Sequence, residues 1–258
     1  MKTSTTCAAP RHEPQPLTDG SGSFTFAEEL GDCRFGDRRR VKRVIRFADA
    51  ALACPESSIP TMCGTASQAE GLYRLVANPA VEASEIVRAH AQSTLKRAGQ
   101  RPLLVVSDSS TFGYGKDTRR TGLGPTTDQG HGFTAHTSLL VDELSGLPLG
   151  LLAMHTWVRP LEVAVDPASL VDANGKALHG TKRGKPRKKP MKKQDDPSNE
   201  SARWLRQARE CSKQLGDRPH IHVTDRESDA YPYMDGLIRD KLRFVVRVSH
   251  DRVTTDGR

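Results

Sequence analysis

The chain has 258 residues, 36% of them apolar, which suffices for one large domain or two smaller ones with an ample core. No apolar run approaches the roughly 20 residues of a membrane-spanning helix, and the five cysteines (Cys7, Cys33, Cys54, Cys63, Cys211) form no CxxC pair, which fits a reducing cytosol better than a disulfide framework or zinc knuckle. The formal net charge of +8 points to a polyanionic partner.

Residues 1–22, MKTSTTCAAPRHEPQPLTDGSG, lack the apolar stretch of a secretory signal and read as a disordered leader. In the stretch from Arg34 to Leu52, Val41, Val44, Ile45, Ala48 and Leu52 recur at helical spacing. Arg38, Arg39, Lys42, Arg43 and Arg46 occupy the remaining surface, so the helix is amphipathic with a cationic face. Such a face is either a solvated surface or a seat for a nucleic-acid backbone, where each neutralised phosphate releases counterions. The next helix is predicted from a Ser67–Glu70 capping box, with Ala66, Ala69, Leu72, Tyr73 and Val76 on one side and Asn78-Pro79 as its stop. A third helix is predicted from Ser84 to Gly99, with Ile86, Val87, Ala91 and Leu95 inward. These helices form a small all-α module that ends before Pro102.

Beyond Pro102 the period changes. The run PLLVVSDSSTF predicts a central strand that ends at Asp108 and empties into a polar loop. FTAHTSLLV and LPLGLLAMHTWV predict two strands joined by DELSG. Residues 161–197 dissolve into Gly, Pro and charge. Within them KALHGTKRGKPRKKPMKKQ carries nine Lys/Arg and no acid, so it reads as a flexible basic loop, lying along DNA or simply solvated. A helix from about Ser198 to Leu215 follows, then a strand HIHVT, a helix through Tyr231 to Leu242, and a last strand RFVVRVS. The second half is therefore a mixed α/β sheet with Asp108 and Asp225 at strand ends. Neighbouring strand ends lie about 4.8 Å apart, so two such carboxylates can share a divalent cation; equally, strand-end aspartates serve as caps and turn residues. His220 and His222 beside Asp225 superficially resemble a zinc set.

Four segments, GDRRRVKR, SQAEGLYRLVANP, LLVVSDSSTF and VTDRESDAY, resemble in order and spacing the Tn5-like transposases of the IS4 family. The resemblance implies a helical DNA-binding domain (residues 23–100) and the N-terminal part of an RNase H-like catalytic domain (residues 101–258), incomplete as it stands. It implies cut-and-paste DDE chemistry with Mg²⁺ or Mn²⁺, in which water attacks the phosphodiester at the element's end and the freed 3′-OH then attacks target DNA. Asp108 and Asp225 match the first two catalytic carboxylates and metal ligands; Arg226, Glu227 and Asp229 complete the second motif, with Ser228 in place of the usual alanine. The family pattern uses neither His220 nor His222, and His136, Trp157 and Trp204 carry no catalytic expectation. Arg38, Arg39, Arg40, Lys42, Arg43, Arg46, Tyr73, Arg74 and Arg226 are the expected DNA contacts. Implied partners are double-stranded DNA, as terminal inverted repeats and as target, and a second copy held through parts absent here; the expected place is the bacterial cytoplasm, on the nucleoid. The family's third carboxylate lies in a Tyr–Arg–Glu–Lys signature after the last strand, whereas no Glu follows Glu227. The expectation is a truncated transposase, inactive alone; the alternative is a DNA-binding product that occupies element ends or represses transposition without cutting.

Overall fold

The structure, a computed structural model, describes residues 25–116, 120–126, 130–159 and 201–249. The expected leader and the basic loop lie outside the described residues. The chain opens with five helices: α1 (Phe26–Leu30), α2 (Arg38–Ala53), α3 (Ile59–Cys63), α4 (Ala66–Val76) and α5 (Ala83–Ala98). A reciprocal capping box starts α1, with Glu28 N donating to Thr25 Oγ1 and Thr25 N donating to the Glu28 carboxylate. Asp37 starts α2 by accepting from Arg39 N at 2.8 Å. Leu30, Cys33, Phe35, Val44, Leu72, Leu75 and Ala89 form the module's core.

Three expectations about these helices need correction. The N-cap of α4 is Thr65, which accepts from Gln68 N, and not Ser67; Glu70 instead pairs with Arg74 at 2.6 Å. The buried line of α4 is Ala69, Leu72 and Leu75, whereas Tyr73 and Val76 are exposed. Leu52, in the last turn of α2, is exposed as well. Helices this short and few offer little neighbouring surface, so only a narrow stripe of each is covered.

The sheet comprises β1 (Leu103–Gly113), β2 (Gly124–Pro125), β3 (His131–Asp142), β4 (Pro148–Trp157), β5 (His220–Thr224) and β6 (Phe244–Val246). Strands β4, β3 and β1 pair antiparallel, and β5 and β6 continue the sheet parallel to β1, with β2 added to the start of β3. A helical N-terminal region followed by this mixed α/β sheet, three antiparallel strands extended by two parallel ones, is the expected fold class and has an RNase H-like order. Strand β1 does not end at Asp108 but runs on to Gly113, because Ser109 to Gly113 find backbone partners on β3 from His136 to Gly132. Polar residues that looked like a loop are thus half of a long hairpin. Gly132 is required there, since a Cβ would collide with the Phe112 carbonyl.

Helix α6 (Ala202–Leu215), a 3₁₀ turn (Arg226–Ser228) and α7 (Tyr231–Arg239) complete the described chain. Helix α7 stops three residues short of Leu242, closed by a positive φ of 56° at Lys241. Helices α5 and α6 cover one face of the sheet, where Ala98, Leu103, Val105, Leu140, Leu152, Cys211 and Leu215 pack together. Trp204, Leu205 and Ala208 of α6 pack on Tyr233 and Leu237 of α7. Helix α5 belongs to both halves: Ala89 lies in the helical core and Ala98 in the sheet core. Buried Glu29 ties α1 to this junction, ion-paired to Arg97, whose Nε donates to the Leu149 carbonyl at 2.7 Å.

Candidate functional site

Strands β1 and β5 are parallel neighbours in register from Leu103↔His220 to Ser107↔Thr224. The next residues are Asp108 and Asp225. Asp225 keeps an extended backbone (φ −91°, ψ −166°), so the alternation carries through it and both aspartates fall on one face, at the same height, on strands about 4.8 Å apart. That face is opposite the one covered by α5 and α6, and both residues are exposed. Asp225 lies just past the end of β5, as expected, while Asp108 lies within β1, at the first position β5 no longer covers. Asp225 Oδ1 accepts from Glu227 N at 2.9 Å, which fixes its orientation by capping the 3₁₀ turn. Two hard-oxygen donors side by side fit Mg²⁺ or Mn²⁺, ions that bind through a pair of carboxylates and retain water. Among the described residues no group of three or more His, Cys, Asp and Glu converges.

Behind the carboxylates lies a cluster for which the sequence assigned no role. Arg203 of α6 donates from Nε to Ser109 Oγ (3.2 Å), the residue after Asp108, and reaches Glu227, two after Asp225, at 3.3 Å. Its guanidinium lies over the rings of Trp157 (5.0 Å) and Trp204 (5.5 Å). Ser109 Oγ also meets His136 Nδ1 at 3.0 Å, and the His136 ring stands edge-on to Trp204. Burial first, then the Arg203 charge, pushes the His136 pKa down to about 4, so the imidazole is neutral at pH 7. One arginine thereby links both aspartate-bearing segments to α6. Its position, 22 residues before Asp225 in sequence order but across the sheet face in space, leaves no local sequence signal.

The histidines flanking Asp225 are engaged elsewhere. His220 Nε2 and His222 Nε2 lie 3.0 Å and 2.9 Å from Ser212 Oγ of α6, on the face opposite Asp225. His222 is buried, and that burial lowers its pKa to about 4. They do not join the carboxylates.

The cationic surface sits at α2. Arg38, Arg39, Lys42, Arg43 and Arg46 are exposed, while Arg40 is partly buried and donates from Nη1 to the Phe35 carbonyl at 2.5 Å. Arg43 Nη1 donates to the Gly71 carbonyl of α4 at 3.4 Å. Tyr73 and Arg74 are exposed on α4, and Arg226 is exposed at the start of the 3₁₀ turn.

Residues 25–81 match the family model described as transposase DNA-binding. A solved structure of a piggyBac transposase synaptic complex with hairpin DNA is similar over 85% of this chain, with 9% sequence identity and a TM-score of 0.44. This chain spans 44% of the length of that protein. The matched segment, from the N-cap of α1 to the residue before Glu82, is the helical region that carries the exposed basic face of α2.

Proposed function

We propose that this chain is a DNA-binding transposase of the cut-and-paste DDE class, of the Tn5-like IS4 type. The observation that carries the catalytic half of this reading is the β1–β5 register, which sets Asp108 and Asp225 abreast on one sheet face. The transposase DNA-binding match over residues 25–81 supports the other half. In this reading Arg38, Arg39, Lys42, Arg43 and Arg46 lie along the phosphates of an element end, with Tyr73, Arg74 and Arg226 adding contacts. Arg40 sets the turn before α2 as well as adding charge. Asp108 and Asp225 hold Mg²⁺ or Mn²⁺, which when bound activates water towards a phosphodiester. Arg203 keeps Ser109 and Glu227, and through them the two carboxylates, in position.

A second reading is occupancy of element ends without cutting, which needs only the binding region that the family model matches. The two separate in one pair of measurements. Replacing Arg38, Arg39, Lys42 and Arg46 by Gln together should flatten the slope of log K against log[salt] for duplex DNA by roughly 3 to 4, at about 0.9 per lost phosphate contact. Mn²⁺ binding, read by water-proton relaxation, should vanish in Asp108→Asn and Asp225→Asn while duplex affinity persists. An unchanged salt slope refutes the DNA face; Mn²⁺ binding indifferent to both aspartates leaves only end occupancy.

A further inference from the structure

The open face of the sheet continues from the carboxylates into an aromatic ledge. Rows of paired residues cross it: Asp108–Thr137–Met154, then Ser110–Ala135–Thr156, then Phe112–Phe133. Strand β1 pairs with β3 without a bulge through this stretch, so Phe112 stands on the same side as Asp108, four residues or about 13 Å along. The Phe112 and Phe133 rings stack at 4.9 Å with 13° between their planes, and Tyr114 continues the stack against Phe133 at 6.2 Å. Arg120 lies over the Tyr114 ring at 4.8 Å. Phe112 is 47% exposed, Tyr114 42% and Val158 43%, a concentration of apolar surface that a solvated sheet end does not need. Between the ledge and the edge of the sheet is a cavity of about 570 Å³, lined by Phe112, Phe133, Ala135, Met154, Thr156 and Trp157 among others, with no carboxylate among the described residues of its wall.

We propose that this ledge binds unpaired bases of a DNA strand by stacking, adjacent to the carboxylate pair. Flat aromatic faces accept any base through its π-face, and a neighbouring cation draws the backbone. The cavity volume suits a planar heterocycle. Charge complementarity selects the occupant: Arg120 over Tyr114 favours a polyanionic strand over an acid-free apolar peptide. The separation from Asp108 corresponds to about four stacked bases at 3.4 Å each, so a strand gripped here can reach the carboxylates. The inference rests on the DNA reading above but uses different residues from the α2 face, so the two can fail separately.

The test measures affinity of the full chain for fluorescein-labelled oligothymidylate and for a duplex of equal length. Phe112→Ala should weaken oligothymidylate binding about tenfold with duplex affinity unchanged. Phe112→Leu, which keeps apolar bulk and protects the fold, should lose most of the same affinity, and Phe112→Tyr should restore it. Bound oligothymidylate should also quench Trp157 emission, measured in a Trp204→Phe background. Equal affinities for wild type and Phe112→Leu, an equal loss for duplex and single strand, or no oligothymidylate binding by the wild type each overturn the proposal. So does a Phe112→Ala variant that only dissolves a dimer, which would make the ledge a contact between copies. Oligothymidylate binding that depends on Phe112 in a protein indifferent to duplex DNA would uphold the ledge and sink the end-binding reading instead.

Discussion

Replacing Arg203 tests whether the support of the candidate site is built as described. In Arg203→Met the hydrophobic stem is kept and the guanidinium is lost. The side chain is only 13% exposed, so its contacts count at partly desolvated strength. Stacking over two indoles contributes about 1 kcal/mol per face, the charged hydrogen bond to Ser109 about 1.5 kcal/mol, and the pair with half-exposed Glu227 at most about 0.5 kcal/mol. Against the desolvation of the guanidinium itself, a net loss of about 2–3 kcal/mol is expected. The assay is urea unfolding followed by tryptophan fluorescence, which is unusually direct here: the chain has 2 tryptophans, and both flank Arg203. Arg203→Lys keeps the charge but not the planar fork and should recover less than half of the loss. In the Met variant the His136 pKa should rise, because the Arg203 charge is the second cause of its depression, yet stay below its ordinary value, because burial is the first. A loss under about 1 kcal/mol, or full rescue by Lys, would refute the view that this arginine holds the two aspartate segments through stacking and directed hydrogen bonds.

Stability should fall as pH drops from about 6.5 towards 4. His136 and His222 have folded pKa values near 4, below the unfolded value, so the unfolded chain binds more protons in that window. The contribution is fully present above about pH 6.5, and His222→Gln should reduce the acid dependence of the unfolding midpoint by on the order of 2 kcal/mol across it. Gly236→Ala should destabilise by about 1–2 kcal/mol in thermal or urea melts, despite alanine's better helix propensity, because the new Cβ runs into the Leu205 side chain where α7 meets α6; a stabilised variant would show that this interface can relax.

Much of the layout was legible from period and punctuation. The hairpin of β3 and β4, the helices α2, α5 and α6, and the strand that delivers Asp225 all follow from apolar spacing and from Gly or Pro at the joints. Errors came where an element borrowed stability from a distant partner. Ser109, Ser110 and Thr111 are polar and the stretch to Gly113 read as loop, yet β3 supplies its hydrogen bonds. Tyr73 and Val76 read as core, yet no neighbour is wide enough to cover them. Asp108 and Asp225 were both named, but their side-by-side placement depends on a parallel pairing between segments more than a hundred residues apart, which no local pattern encodes.

Residue chemistry alone determined that the protein is basic, that its helical half presents arginines and a lysine from α2, and that two aspartates follow apolar strands. Charge and periodicity are local properties, readable wherever the residues stand. Only the fold decided which face each aspartate shares, that both histidines beside Asp225 turn away to Ser212, and that Arg203 links the two aspartate segments. Those outcomes are set by the parity of strand register, where a slip of one residue sends every side chain to the opposite side of the sheet.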